Sequence, residues 1–210
     1  MNKGDAYVVG VTGGVGSGKT TVVEILKEKG WQIINVDELA QEIIQNDPQI
    51  QKQIKKVFGS GILYETGELK RREMANTVFS KKGLLNQLNH IIWPVLIQTL
   101  QQRIQEIKRN DSVPTAVDMA VIFEANCPSI FDYILTVTAS LKTREYRLET
   151  RRHWTRKAIH QRINSQLNEK IKLEQSDYII YNEGSIEELR KKIQIFIQWI
   201  SKKDIMTRKE

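Results

Sequence analysis

Residues 13–20 read Gly-Gly-Val-Gly-Ser-Gly-Lys-Thr and match the phosphate-loop pattern of a glycine, four residues and then Gly-Lys-Ser/Thr. Glycines in such a loop allow positive φ angles, so the backbone can close around a phosphate and point its N–H groups at it. Lys19 supplies a cation for the β and γ phosphates, and the Thr20 hydroxyl is a ligand for Mg²⁺. The predicted nucleotide-binding residues of this motif are Gly14, Gly16, Ser17, Gly18, Lys19, Thr20 and Thr21. The motif predicts a site for a nucleoside triphosphate and Mg²⁺.

The segments on either side of the loop are those that the motif needs. An apolar run at residues 7–11 has the character of a buried strand, and apolar residues follow the loop at helical spacing, at Val22, Val23, Ile25 and Leu26. A helix that begins at the loop adds its N-terminus to the anion site. Strand, loop and helix therefore follow one another in the required order.

Five short apolar segments predict a parallel sheet that is buried on both faces. They are residues 7–12, 32–37, 115–120, 133–139 and 178–182. Helical patterns fill the intervals, so the chain alternates strand and helix as a doubly wound α/β protein does. The 210 residues suit one such domain.

Two intervals between the strands are longer than a simple crossover needs. Residues 38–111 show helical patterns and no convincing strand, and we interpret them as a helical insertion that forms the acceptor site. Residues 142–173 are the second interval, and we interpret them as a lid. The remaining segments, 1–37, 112–141 and 174–210, then form the core of the domain.

The lid segment is strongly basic. The formal net charge of the chain is +7, and residues 142–162 alone hold eight Lys or Arg against two Glu. Arg144, Arg147 and Arg151 stand at i, i+3 and i+7, so one helix face can present all three. One reading of this face is a solvated basic surface. The other is a set of arginines that close over a transferring phosphoryl group, and the upstream phosphate loop favours it.

Composition narrows the class of protein further. No apolar run approaches the ~18 residues that a membrane span needs, the N-terminus is polar, and the single cysteine, Cys127, has no partner for an internal disulfide. We therefore expect a cytoplasmic protein with no membrane and no nucleic-acid partner, whose metal is Mg²⁺ held with the nucleotide. The sequence does not determine the oligomeric state.

Two aspartates lie at or near the carboxyl ends of predicted strands, at the edge where ligands of open α/β sheets bind. Asp37 closes the second predicted strand, where it can accept the proton of an acceptor hydroxyl or serve as a helix N-cap. Asp118 lies near the end of the third strand, where it can hold Mg²⁺ through water or be purely structural. A phosphate loop with such a base, in a chain without the DxxG element of GTPase switches, is typical of a small-molecule kinase.

The chain resembles the dephospho-CoA kinases, which use ATP to phosphorylate the ribose 3′-hydroxyl of dephospho-CoA. The resemblance extends from Val8 to Leu189. It is carried by residues 11–20, Asp37, residues 67–79, residues 118–124, the arginine pair Arg147 and Arg151, Gln166 and residues 177–184. It implies a P-loop kinase-like fold, the last step of coenzyme A biosynthesis, and ATP and dephospho-CoA as substrates.

The resemblance also implies roles for individual residues. Lys19, Asp37, Arg147 and Arg151 would be catalytic, with Asp37 as the base. Asn182 would lie in the turn against the adenine. The implied acceptor-binding residues are Asp37, Arg71, Trp93 and Glu124, and the implied metal ligands are Thr20 and Asp118.

Four positions depart from the family pattern. Asn35 and Lys70 stand in place of aspartates, Trp93 in place of a histidine, and Ala120 in place of a proline. The Trp93 change concerns the acceptor side. Two alternatives therefore stay open, namely a kinase of the same architecture that acts on a nucleoside or a sugar, and a weakly catalytic nucleotide-binding regulatory protein.

Overall fold

The structure is a computed structural model, and it describes residues 7–80, 83–110 and 113–207. The chain divides into two compact units. We call Met1–Ile34 with Asp111–Glu210 the core unit and Asn35–Asn110 the inserted unit. The domain limits predicted at residues 1, 111, 112 and 210 lie outside the described residues, and the predicted division into core, insertion and lid stays a proposal.

A five-stranded sheet forms the centre of the core unit. Its strands are β1 (Val8–Gly13), β2 (Gln32–Asn35), β3 (Thr115–Asp118), β4 (Tyr133–Thr138) and β5 (Tyr178–Tyr181). Their order is β2-β3-β1-β4-β5, and β1 runs parallel to both β3 and β4, as β4 does to β5. The predicted α/β class with a parallel sheet is confirmed.

The strand order explains where a ligand of this sheet belongs. After β2 the chain returns to place β3 beside β1, and it then crosses to the other side of β1 for β4. The neighbouring strands β1 and β3 are therefore followed by connections that leave in opposite directions along the sheet, and ligands of open α/β sheets bind at the carboxyl ends of the strands at such a point. The segment that follows β1 is the phosphate loop.

One face of the sheet is covered by α1 (Lys19–Glu28) and α9 (Ile186–Thr207). Their apolar residues pack on the strands in a single buried cluster that includes Ile25, Leu26 and Phe196. All six residues of β1 are buried, which agrees with its largely apolar character. This packing holds the start of α1, and with it the end of the phosphate loop, against the sheet.

Residues 142–173 are helical, as expected. They contain most of α6 (Leu141–Arg152), all of α7 (Arg156–Asn164) and most of α8 (Glu169–Glu174). Ser140 caps α6 by accepting a hydrogen bond from the N–H of Thr143, and Thr155 caps α7 in the same way.

The inserted unit is helical in its described part. It contains α2 (Val36–Asn46), α3 (Pro48–Phe58), α4 (Arg71–Ser80) and α5 (Leu84–Asn110). α3 is bounded at both ends, because Asp47 caps its start and Gly59 follows its last residue. Within the described residues, no helix is long and apolar enough to span a bilayer.

Two predicted strands end two residues earlier in the structure than expected. β2 ends at Asn35 and not at Asp37, because the Asn35 side chain accepts hydrogen bonds from the N–H groups of Asp37 and Glu38 and so starts α2. β3 ends at Asp118, two residues early. Pro94 lies inside α5, and the buried positions of that helix stay in register on both sides of the proline, at Ile92, Leu96 and Leu100.

Candidate active site

The phosphate loop has the backbone geometry that its glycines allow. Gly16 and Gly18 have φ angles of 80° and 93°, and the N–H of Ser17 donates to the carbonyl of Gly14 over 3.0 Å. Gly18 directly precedes α1 in a left-handed conformation. These turns direct the chain from the end of β1 into the N-terminus of a helix, which is the arrangement that binds anions.

Gly18 is a loop position with no room for a side chain. Its φ of 93° disfavours any other residue, and a methyl group there would overlap the Asn182 side-chain amide. We expect Gly18→Ala to weaken ATP binding at least about tenfold, since the loop must move to relieve the overlap. Titration calorimetry with ATP measures this, and Gly61→Ala, where no atom lies within 4 Å, is the matched control. Equal affinities of Gly18→Ala and wild type would contradict the prediction.

Lys19 and Asp118 form an ion pair at the mouth of the loop. Lys19 is the first residue of α1 and Asp118 is the last of β3, which lies beside β1 with Val11 opposite Asp118. Both side chains are mostly buried, with 17% and 13% of their surface exposed. The pair places one cation and one carboxylate at the carboxyl edge of the sheet. Thr20, the next residue of α1, is exposed.

The carbonyl of Ser17 joins two other predicted site residues to the loop. The side-chain amide of Asn182 donates to it over 2.8 Å, and Arg147 Nη1 donates to it over 3.3 Å. Asn182 follows β5 and is buried, and its own N–H donates to the Thr138 carbonyl over 2.7 Å. The structure therefore brings Arg147 and Asn182 to the same point of the phosphate loop.

Arg147 carries a positive charge in a partly desolvated place. Burial lowers the pKa of its guanidinium from the ordinary value, and neighbouring Arg151 lowers it further, while Glu183 acts in the opposite direction. Arginine stays protonated in spite of such a shift. Within the described part of the chain, neither Arg147 nor Arg151 has an ion pair, so both charges are available to an anion.

Arg144, the third arginine of the predicted face, has a different place. Its side chain is buried, and it donates from Nε to the Val15 carbonyl over 2.9 Å and pairs with Glu169 over 3.0 Å. Gln166 Oε1 accepts from the N–H of Val15 over 2.9 Å. The buried Arg144 therefore supports the phosphate loop through the Val15 carbonyl. Arg147 and Arg151 come after Arg144 on α6.

Sequence reasoning missed Lys172. Its side chain is 2% exposed, pairs with Glu124 over 2.6 Å and donates to the Ala120 carbonyl over 3.2 Å. Glu124 Oε1 also accepts from the N–H of Leu167 over 2.9 Å. Glu124, expected to bind the acceptor, thus holds the segment that precedes α8. Lysines at 170 and 172 look alike in sequence, and only the fold separates the exposed one from the buried one.

The remaining predicted residues belong to the inserted unit. Asp37 lies exposed in the first turn of α2, and it does not cap that helix because Asn35 does. Arg71 is the first residue of α4 and donates to the side-chain oxygen of Gln41. Trp93 is half-buried in α5. The roles of Asp37, Arg71 and Trp93 stay predictions.

A metal centre built from protein side chains alone and a cysteine nucleophile both find little support in the described residues. No group of three or more His, Cys, Asp or Glu is placed there to hold a metal ion. Burial raises the pKa of the Cys127 thiol to about 11, so this side chain is protonated at neutral pH and is a poor nucleophile. Thr20 and Asp118 supply hard oxygen atoms beside a phosphate loop, a donor set that suits Mg²⁺ shared with a nucleotide.

Comparison with known proteins gives a consistent result. The family model described as dephospho-CoA kinase matches residues 7–188. A dephospho-CoA kinase of Carboxydothermus hydrogenoformans is 33% identical over 193 residues, which are 91% of this chain and 93% of the relative. A crystal structure from Thermus thermophilus matches with a TM-score of 0.74 and 26% identity, covering 92% of this chain and 97% of the other. A dephospho-CoA kinase structure from Campylobacter jejuni, 21% identical with a TM-score of 0.63, covers 94% and 98% and shares the fold.

The family model covers far more than half of the chain, and its matched residues include the phosphate loop, Asp118, Arg147 and Asn182. The chain therefore belongs to the dephospho-CoA kinase family.

Proposed function

We propose that this protein transfers the γ-phosphoryl group of ATP to the ribose 3′-hydroxyl of dephospho-CoA, giving CoA and ADP. The observation that carries the proposal is the meeting of Arg147 and Asn182 at the Ser17 carbonyl, beside the Lys19–Asp118 pair, in a chain of this family. A phosphate loop that also receives an arginine without an ion pair among the described residues suits phosphoryl transfer better than binding alone.

The donor half of the reaction uses the core unit. The loop N–H groups and Lys19 bind the β and γ phosphates, and Asn182 lies in the turn proposed to face the adenine. Arg147 and Arg151 stabilise the charge that spreads over the transferring group. Thr20 and Asp118 would hold Mg²⁺, which when bound neutralises phosphate charge.

The acceptor half is assigned to Asp37, Arg71, Trp93 and Glu124. Asp37 orients the attacking hydroxyl and accepts its proton. Glu124 acts near the acceptor through the segment that it holds, and Arg71 and Trp93 contact the acceptor. We place the reaction in the cytoplasm.

The test is formation of CoA from ATP, Mg²⁺ and dephospho-CoA by the purified protein, with ADP release measured in parallel. A panel of nucleosides and sugars in place of dephospho-CoA tests the other acceptors that Trp93 leaves open. Lys19→Met, expected to lose the activity, controls for contaminating kinases, and a chelator tests the need for Mg²⁺. Rapid ADP release with another acceptor and no CoA would refute the proposal. ATP binding without turnover on any acceptor would instead support a regulatory role.

A further inference from the structure

Glu183 links two parts of the core unit that are 40 residues apart in sequence. It follows Asn182 in the turn after β5, and its carboxylate accepts hydrogen bonds from the N–H of Ser140, from the Ser140 hydroxyl over 3.1 Å and from the Thr143 hydroxyl over 2.7 Å. Ser140 is the N-cap of α6, and Thr143 lies in its first turn. The carboxylate therefore holds the beginning of α6.

The same helix carries Arg147, one turn beyond Thr143. Arg147 Nη1 reaches the Ser17 carbonyl, the atom that Asn182 reaches from the turn after β5. Consecutive residues of one turn thus hold two different elements. Asn182 holds the phosphate loop, and Glu183 holds the helix that brings Arg147 to that loop.

These contacts are unusual for an exposed glutamate. Most exposed carboxylates are only solvated, and their ion pairs contribute little. Glu183 instead accepts three hydrogen bonds from two residues of one helix start. The Thr143 hydroxyl, followed by the Ser140 N–H, lowers the pKa of Glu183 below its ordinary value, so the carboxylate stays ionised at neutral pH. The positive charge of Arg147 acts in the same direction.

We propose that Glu183 is a positioning residue for phosphoryl transfer, which sets the place of Arg147 at the phosphate loop by fixing the start of α6. This inference rests on the proposed function for its kinetic consequence, although the link itself does not. Among the described residues, the hydrogen bonds of Glu183 go to the start of α6 and its charge acts on Arg147, so we expect its effect on the rate to pass through Arg147.

The expected kinetic result is a loss of kcat without a matching loss of ATP binding. Glu183→Ala should lower kcat about 10- to 100-fold, the range expected when a charge-stabilising group is misplaced by about 1 Å. KM for ATP should change less than about threefold, because Asn182 and the loop are untouched. Glu183→Gln should lie between Glu183→Ala and wild type, since its amide retains one acceptor oxygen. Glu187→Gln, an equal charge change on the nearby surface of α9, is the control.

A double-mutant cycle separates positioning from a general structural effect. If Glu183 acts through Arg147, Glu183→Ala should cost little additional rate once Arg147 has been replaced by alanine. Losses that simply add in the double variant would overturn the proposal. A Glu183→Ala variant with wild-type kcat would overturn it as well.

A readout without catalysis keeps this inference distinct from the proposed function. Backbone amides of residues 141–148 should exchange with solvent at least about fivefold faster in Glu183→Ala than in Glu187→Gln, because the start of α6 is no longer held. If wild type forms no CoA while this difference appears, the proposed function fails and the link stands. If exchange is the same in both variants, Glu183 does not hold α6 and the inference fails.

Discussion

Replacing Asp37 with asparagine is expected to lower kcat about 10²- to 10⁴-fold, the range of a lost general base. Asparagine has nearly the same shape but cannot take up the proton of the acceptor hydroxyl. The side chain is exposed and the Asn35 cap remains, so the protein should fold and bind ATP with an affinity within about twofold of wild type. CoA formation at saturating substrates gives kcat, and titration calorimetry gives the affinity for ATP.

Glu38→Gln provides the matched control for Asp37. Glu38 is an exposed carboxylate in the same first turn of α2, and its side chain accepts a hydrogen bond from Asn35 Nδ2 over 3.1 Å. Both substitutions remove one negative charge from the N-terminus of that helix, where each charge is worth about 0.3–1 kcal/mol. If Asp37→Asn and Glu38→Gln have comparable free energies of unfolding but very different kcat values, Asp37 is identified as the base. Full activity of Asp37→Asn would remove Asp37 from that role, and the acceptor proton would need another base.

The parts of the fold that local chemistry determines could be predicted from the sequence. Glycine is the residue for positive φ, so the turns at Gly16 and Gly18 follow from residue type. The largely apolar runs of β1 and β4 predicted buried strands. β2 was predicted two residues too long because Val36 continues the apolar run, whereas the Asn35 cap already starts a helix there.

The pairing of distant side chains could not be predicted in the same way. Arg144 and Arg147 are both arginines on α6, yet one is buried against Glu169 and Val15 and the other lacks an ion pair within the described residues. Their difference depends on which neighbours the fold supplies. The Glu124–Lys172 pair joins residues 48 positions apart and has no local sequence pattern. Such contacts depend on how the segments before α8 pack, which periodicity does not describe.

Replacing Lys172 with methionine is expected to lower the free energy of unfolding by about 3 kcal/mol. The change removes the partner of Glu124, whose second oxygen, Oε2, is buried and already lacks a hydrogen bond among the described residues. Breaking a buried ion pair by removing one partner leaves an uncompensated charge, which typically costs about 3–5 kcal/mol. The lower end applies because 15% of the Glu124 side chain is exposed. Urea unfolding followed by tryptophan fluorescence measures the loss.

The double variant Lys172→Met with Glu124→Gln tests this cause of the loss. Glutamine keeps an oxygen that can accept from the N–H of Leu167, and it carries no charge, so the double variant should be at least about 1 kcal/mol more stable than Lys172→Met alone. Lys170→Met is the control for loss of a lysine from the same helix. Lys170 is exposed and its ammonium lies as far as 3.8 Å from the Glu174 carboxylate, so this substitution should change the free energy of unfolding by less than about 0.5 kcal/mol. If Lys172→Met were no more damaging than Lys170→Met, the buried pair would not be what holds this segment. If the double variant were less stable than Lys172→Met, the loss would come from packing of the lysine stem, because neutralising Glu124 would then bring no relief.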